Sequence, residues 1–403
     1  SIPRQNNDLA GFDVAVHRNI VHDSRFDSFV LRQTLKTMAL TLKSQSGYLP
    51  ALFHDDSPMQ LKDFSYDLPD ELIAQHPSAK RDQSRLLLMD RHKDALADMS
   101  FFQLPDLLKK GDVLVVNDSR VIPARLFGRK QTGGQLEILL LNVKKKEPTS
   151  QIWEVLIRPA KRLHEGDDIR LAGHCEAKVL ARISEKKWLV EFCAPDGFES
   201  YVNTFGRAPL PPYIKRKKNA RPDAADRDRY QTIYARQPGS IAAPTAGLHF
   251  SDEVIQQLKD RGIQIAHVTL HVGYGTFLPI TTDEVEKHVM EPEYYEISPE
   301  SARIINNAER VIAVGTTSTR TLESVSNEDG YISARSGVTS LFIYPGYKFK
   351  RINGLLTNFH LPQSSLFLLV CAFAGTDLIK KAYAHAVKNR YMFYSYGDCM
   401  LIL

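Results

Sequence analysis

Asp112-Val-Leu-Val-Val116 runs directly into Asn117-Asp-Ser-Arg120. Four consecutive apolar residues, Val113 to Val116, suit a strand buried on both faces of a parallel sheet, whereas a strand with one wet face would alternate. The pattern recurs at Val311-Ile-Ala-Val314, which enters Gly315-Thr-Thr-Ser318 and then a helical stretch through Ser324. Between these, Ser251 is placed to cap a helix that starts with Asp252 and Glu253 and ends at Gly262. The acidic pair suits the positive end of that helix. A strand is expected over 263–272, with Ile263, Ile265, His267, Thr269 and His271 sharing one face by two-residue alternation. Further strands are expected at 340–343 and 354–358, and helices at 69–73 and 102–108. The fold class is α/β, with a three-layer α/β/α domain.

The stretch from 123 to 203 has a different character. Strand signals at 136–141, 153–157, 168–171, 177–183 and 188–192 follow one another across Gly, Pro and charged turns, with no helix between them. Five or six such strands suggest a small barrel or sandwich. The expectation is a small β-barrel inserted at 123–203, with 59–122 and 204–403 forming the α/β layer domain. Residues 1–58 begin with Ser, show no strong period and end in Asp55-Asp-Ser-Pro58. They read as an extension, a tag or an upstream translated segment, disordered or non-native, with room for an amphipathic helix at 29–42 and with Met59 as the natural start.

At 403 residues the chain exceeds one ordinary domain. Its 43% hydrophobic and 25% charged residues are those of a soluble globular protein. The longest apolar run, Ser364-Ser-Leu-Phe-Leu-Leu-Val-Cys-Ala-Phe-Ala-Gly375, falls short of the roughly 20 residues a membrane helix needs and reads as a buried core helix. No secretory signal is evident, and the four cysteines contain no C-x-x-C pair, so a reducing, cytoplasmic setting is expected. His267 and His271 are four apart but on a strand, too far spread for a helical metal pair, and no metal site is expected.

The net charge of +5 lies wholly outside the first 58 residues, which hold six basic and six acidic groups. Between Gly206 and Arg236 there are nine basic and three acidic residues, including Lys215-Arg-Lys-Lys218. Such a patch attracts polyanions, although a solvated loop that binds nothing has the same composition.

Open α/β sheets bind ligands beyond the carboxyl ends of their strands. Three polar loops hold that place: Asn117-Asp-Ser-Arg120, Gly315-Thr-Thr-Ser318 with Arg320, and Thr357-Asn-Phe-His360. Glycine permits close backbone approach, and hydroxyls with free N–H groups at a helix start favour polar or anionic ligands; simple capping of the helix gives the same pattern. Ala243-Pro-Thr-Ala-Gly-Leu-His-Phe250 and Leu270-His-Val-Gly-Tyr-Gly-Thr-Phe277 set His249 and His271 beside glycines, where a neutral-pH proton carrier or a structural histidine would both fit. Neither a dinucleotide fingerprint, a Walker loop nor a nucleophile elbow is present.

Together these segments resemble the S-adenosylmethionine:tRNA ribosyltransferase-isomerase family of queuosine biosynthesis. The likeness runs from Met59-Gln-Leu-Lys-Asp-Phe-Ser-Tyr-Asp-Leu-Pro69 to Ser395-Tyr-Gly-Asp398 and the chain end, through Val116-Asn-Asp-Ser-Arg-Val-Ile-Pro-Ala-Arg125 and the loops above. One departure stands out: the family pattern H-x-M-H-x-E is His288-Val-Met-Glu-Pro-Glu293 here, so Glu291 replaces the second histidine and is a poor choice for an essential proton carrier, while His288 and Glu293 remain candidates.

The resemblance implies an α/β domain with an inserted barrel, and S-adenosylmethionine as a consumed substrate with no permanently bound cofactor. It further implies ribosyl transfer to 7-aminomethyl-7-deazaguanine at the wobble position of tRNA, giving epoxyqueuosine, adenine and methionine. His249, His271 and His360 are the expected catalytic residues, with His249 or His271 as base and acid. Asn117, Ser119, Arg120, Thr245, Gly247, Gly273, Gly275, Gly315, Thr316, Thr317, Ser318 and Arg320 are expected to bind S-adenosylmethionine. Lys215, Arg216, Lys217, Lys218, Arg227, Arg229 and Tyr230 are expected to hold the tRNA. The chain is expected to act as a monomer away from membranes. An S-adenosylmethionine-dependent RNA methyltransferase and a plain RNA-binding module are the rival readings.

Overall fold

The computed structural model describes residues 58–216, 224–277 and 279–403. The expectations for residues 1–57, including the helix at 29–42, lie outside the described residues, as do Lys217 and Lys218. Residues Met59–Leu403 form one compact unit.

Its frame is a nine-stranded sheet. Four central strands run parallel in the order Gln264–Leu270, Asp112–Asn117, Arg310–Val314 and Gly354–Asn358. Asp112–Asn117 is buried along its whole length. Its alternation divides it between two cores: Val113 and Val115 join one apolar cluster, Leu114 and Val116 the other. The first cluster takes Ala302 and Ile305 from the helix Pro299–Asn306, Leu322 and Val325 from Gly315–Val325, and most of Ser365–Ala374. The second takes Val254 and Leu258 from Asp252–Asp260. Helices therefore cover both faces, each fully buried Leu, Ile or Val contributing about 1.5–3 kcal/mol. Ser251 caps its helix as expected, its hydroxyl accepting from Val254 N at 3.3 Å.

Antiparallel pieces finish both edges. Glu293–Ile297 and Arg335–Thr339 extend the side of Gln264–Leu270. On the other side, Cys399–Ile402 runs antiparallel to Gly354–Asn358, Arg85–Asp90 pairs in parallel with Cys399–Ile402, and Ala95–Ser100 follows antiparallel at the edge. The strand expected at 340–343 does not form. Thr339 Oγ1 pairs with Ser324 Oγ at 2.5 Å and accepts from Leu341 N, while the Leu341 carbonyl accepts from Arg320 Nε at 2.9 Å. Side chains of the helix Gly315–Val325 thus capture the backbone that a ladder would have used, and the strand ends at Thr339. The two early helices are shorter than expected: 69–73 yields one 3-10 turn, Asp70–Leu72, and 102–108 a 3-10 turn followed by Leu104–Leu107.

Six antiparallel strands close a barrel in the order Lys187–Cys193, Ser150–Arg158, Gln135–Lys146, Arg125–Lys130, Asp168–Leu171 and Glu176–Arg182. Leu126, Ile138, Leu140, Val155, Val179, Val190 and Phe192 fill it, with Phe198, Tyr201 and Val202 of the helix Phe198–Phe205 in the same cluster. Gly128 lies where a Cβ would come within 2.7 Å of Leu171 Cδ2, so the narrow lumen excludes a side chain there. The chain enters the barrel from Ser119–Val121, which pairs in parallel with Gln237–Ser240 on the return path. Among the described residues no helix is long and apolar enough to cross a membrane.

Candidate functional site

Arg310–Val314 and Gly354–Asn358 end side by side, and their carboxyl ends open into a cleft. Gly315, Thr316 and Thr317 line it from the start of the helix Gly315–Val325, and Thr357, Asn358 and His360 from the end of the neighbouring strand. Thr245 and Thr276 contribute from the two histidine-bearing loops, and Tyr213, Tyr394 and Ser395 complete the wall. Gly315 has φ +87°, a conformation that glycine adopts without strain and that turns the chain from strand into helix. Loops far apart in sequence thus meet at the rim where a doubly wound sheet places its ligand.

The three histidines part company here. His360 lines the cleft, its Nε2 2.8 Å from Thr357 Oγ1 and its backbone N donating to Tyr383 Oη at 3.0 Å. Burial pushes its pKa down to about 3, so the ring is neutral. His249 stands behind the wall. Its Nδ1 is 2.7 Å from Ser84 Oγ and its Nε2 3.2 Å from Asn358 Nδ2, so both ring nitrogens are engaged. Burial lowers its pKa to about 4. With the Asn358 amide nitrogen donating to Nε2, the ring fixes that amide and leaves Asn358 Oδ1 buried, unpartnered and in the cleft wall.

His271 does not reach the cleft. Its backbone follows the alternation of Gln264–Leu270: Val272 lines the cleft, whereas His271 faces the other way. There its ring stacks on Tyr294, with centroids 5.4 Å apart, and lies where a Cβ on Gly239 would be 2.8 Å away. The same face carries His267 and Thr269 into a separate groove with Asp118, Arg236 and Glu296.

Several residues expected to bind the ligand do not line this cleft, and most of them are engaged within the fold. Asn117 accepts from Leu270 N and Ser119 N and donates to the Leu270 carbonyl. Ser119 accepts from Ser240 Oγ at 2.8 Å, tying the two-stranded entry to the barrel. Arg120 is exposed and points away, between buried Ser119 and Val121. Gly247 admits Tyr234, whose hydroxyl lies where a Cβ would be. Ser318 is fully buried with its hydroxyl unpartnered, but it does not line the cleft.

Arg320 holds the roof through another residue. Its guanidinium forms an ion pair with Glu293, both side chains being 4% exposed, and Glu293 also accepts from Gly273 N at 2.8 Å and Thr276 Oγ1 at 3.2 Å. The 271–277 loop, with Gly273, Gly275 and cleft-lining Thr276, is therefore clamped to the helix that forms the cleft floor. Glu291 works nearby, pairing at 2.6 Å with Lys187 of the barrel strand Lys187–Cys193, which also meets Glu154 at 3.2 Å. That carboxylate ties barrel to sheet. His288 packs edge-on to Phe342 and is absent from the cleft lining.

A sequence model of the queuosine biosynthesis protein family matches residues 61–402. The chain belongs to that family. It is 55% identical over 361 residues to the S-adenosylmethionine:tRNA ribosyltransferase-isomerase of Syntrophus aciditrophicus, covering 86% of this chain and all of that protein. The proteins of the same name from Trichlorobacter lovleyi and Desulfitobacterium hafniense are 46% and 48% identical, again over 86% of this chain and all of theirs. Among solved structures, an S-adenosylmethionine tRNA ribosyltransferase from Thermotoga maritima is 34% identical, with a TM-score of 0.47, covering 85% of this chain and all of that one.

In this family member the basic segment is partly spent on the fold. Arg216 makes a two-pronged pair with buried Asp226, at 2.8 and 2.7 Å, and donates to the Gln75 carbonyl. Arg229 donates to the carbonyls of Ser78 and Ala79. Tyr230 is 1% exposed, packed among Leu210, Ile214, Leu248 and Tyr396, and has no face left for a base to stack on. Lys215 and Arg227 stay exposed, although Arg227 Nη1 donates to the Asn203 carbonyl at 2.9 Å. The sequence alone did not mark Tyr213, Tyr394, Ser395 and Thr276 as cleft walls, and it offered Glu293 as a candidate proton carrier rather than as the partner of Arg320. Glu293 carried a readable signal: in Glu293–Ile297 it is in phase with Tyr295 and Ile297, and a carboxylate on the buried face of a strand needs a partner.

Proposed function

We propose that this chain transfers and isomerises the ribosyl moiety of S-adenosylmethionine onto 7-aminomethyl-7-deazaguanine at the wobble position of tRNA, giving epoxyqueuosine and releasing adenine and methionine. S-adenosylmethionine is a consumed substrate, precursor-bearing tRNA is the partner, and the chain works as a monomer in the cytoplasm. The observation that carries this reading is the single cleft built by loops from 245, 276, 315–317 and 357–360, in a chain half identical to proteins named for that activity. The methyltransferase alternative is not favoured, since the relatives named above are ribosyltransferase-isomerases.

The chemistry needs a base for the 5′ carbon, an acid for departing adenine, and shelter from water. His360 is the cleft histidine and takes the proton. Burial keeps the ring neutral, so it can accept the proton and then pass it to the departing adenine. His249 acts as a positioning residue through Asn358, and His271 has no part in the chemistry. Chromatography of the small molecules after incubation with precursor-bearing tRNA tests the reading. Adenine and methionine are expected. S-adenosylhomocysteine would mark a methyltransferase, and tRNA binding without turnover a binding module.

A further inference from the structure

S-adenosylmethionine brings a carboxylate, an ammonium and a sulfonium into the cleft, yet no Lys, Arg, Asp or Glu is among the described residues that line it. A desolvated carboxylate must find donors or bind poorly. The cleft offers two independent sets.

The first is the start of the helix Gly315–Val325, eleven residues long and without a side-chain cap. The opening N–H groups of a helix have no partner within it and carry a partial positive charge. The second is Thr317 Oγ1, which belongs to a residue 6% exposed, lines the cleft and has no hydrogen-bond partner. This hydroxyl lies 3.7 Å from where a Cβ on Gly315 would sit, with Ala246 Cβ at 3.6 Å on the other side, so glycine leaves open the space over the helix end. Asn358 Oδ1, a buried and unpartnered acceptor, lines the same cleft, and a zwitterion finds partners of both kinds there.

We infer that the first turn of this helix, with Thr317 Oγ1, is an anion subsite that takes the α-carboxylate at the amino-acid end of the sulfonium nucleoside. The inference rests on the proposed function and deepens it, since it fixes which end of the substrate meets Gly315. Asn117, Arg120 and Arg320 are not its ligands.

Isothermal titration of the full chain with S-adenosylmethionine and with its decarboxylated analogue tests this. Wild type is expected to bind the carboxylated nucleoside at least tenfold more tightly, as charge-assisted hydrogen bonds warrant. Thr317→Val is expected to weaken S-adenosylmethionine binding roughly tenfold and leave the analogue's affinity unmoved. Thr317→Ser, which keeps the hydroxyl, restores the preference. If wild type binds both nucleosides equally, or Thr317→Val weakens both alike, the subsite is refuted while the proposed function stands. If wild type binds neither, the proposed function falls and the subsite with it.

Discussion

Glu293→Gln takes the counter-charge from Arg320 while keeping the shape of the side chain. Both partners are 4% exposed, and the Arg320 Nη2 atom is buried without any hydrogen bond even in the intact pair. The variant strands a guanidinium where water cannot reach it. Breaking a buried pair from one side costs about 3–5 kcal/mol, because the surviving charge keeps its desolvation penalty and loses its compensation. The exposed pair Lys287–Glu284, with side chains 66% and 33% exposed, gives the contrast: Lys287→Ala costs about 0–1 kcal/mol.

Urea unfolding at pH 7 reads both, with a lower midpoint and unchanged m expected for Glu293→Gln. The double variant Glu293→Leu/Arg320→Met separates stability from positioning. Replacing a buried pair by apolar residues of similar volume is about neutral for stability, yet Gly273 N and Thr276 Oγ1 lose their common acceptor. The double variant should therefore fold with near wild-type stability and bind S-adenosylmethionine more weakly. A loss below about 1 kcal/mol for Glu293→Gln, matching the surface control, would refute the clamp.

Acid should weaken the fold through its buried histidines. The folded pKa values, about 4 for His249 and about 3 for His360, lie below the ordinary 6.5, so the unfolded chain binds the proton first. Stability is complete above pH 6.5 and falls from there towards pH 4 and 3, each ring adding a slope of up to about 1.36 kcal/mol per pH unit. His360→Asn should flatten the dependence of the urea midpoint between pH 6.5 and 5, and an unaltered slope would contradict the buried neutral ring. In single-turnover assays His360→Ala should lose roughly 10²–10⁴-fold in rate while His271→Ala stays near wild type; the reverse order would return His271 to the chemistry. For tRNA, Lys215→Ala/Arg227→Ala should reduce the slope of log affinity against log salt by about 1–2, at unchanged stability. Arg216→Ala should instead destabilise the fold by leaving Asp226 alone, and filter binding beside urea unfolding distinguishes the two.

Much of the frame was legible because burial on both faces writes itself locally. Val113 to Val116 and Val311 to Val314 admit no polar residue, and the barrel strands announce themselves by close spacing between turns. Pairing between distant segments leaves no such mark: Arg85–Asp90 lies beside Cys399–Ile402, and nothing in either hexad or tetrad names the other. The rim loops were legible for the same reason as the strands, since Gly315 and Thr357 follow or end apolar runs.

Side-chain direction was only half legible. Alternation along Gln264–Leu270 already placed His271 with His267 and Thr269, and taken one residue further it would have sent Val272 rather than His271 to the cleft. His249 ends a 3-10 turn, Thr245–His249, where no simple period applies, so its retreat behind Asn358 had no counterpart in the sequence. The basic segment was harder still. Composition counts charges without their partners, and Arg216 shows that a cation in a basic run can be fully spent on a carboxylate ten residues away. Among the described residues of that run Lys215 is exposed while Arg216 is paired with Asp226, so composition alone overstates the free positive charge that these two present.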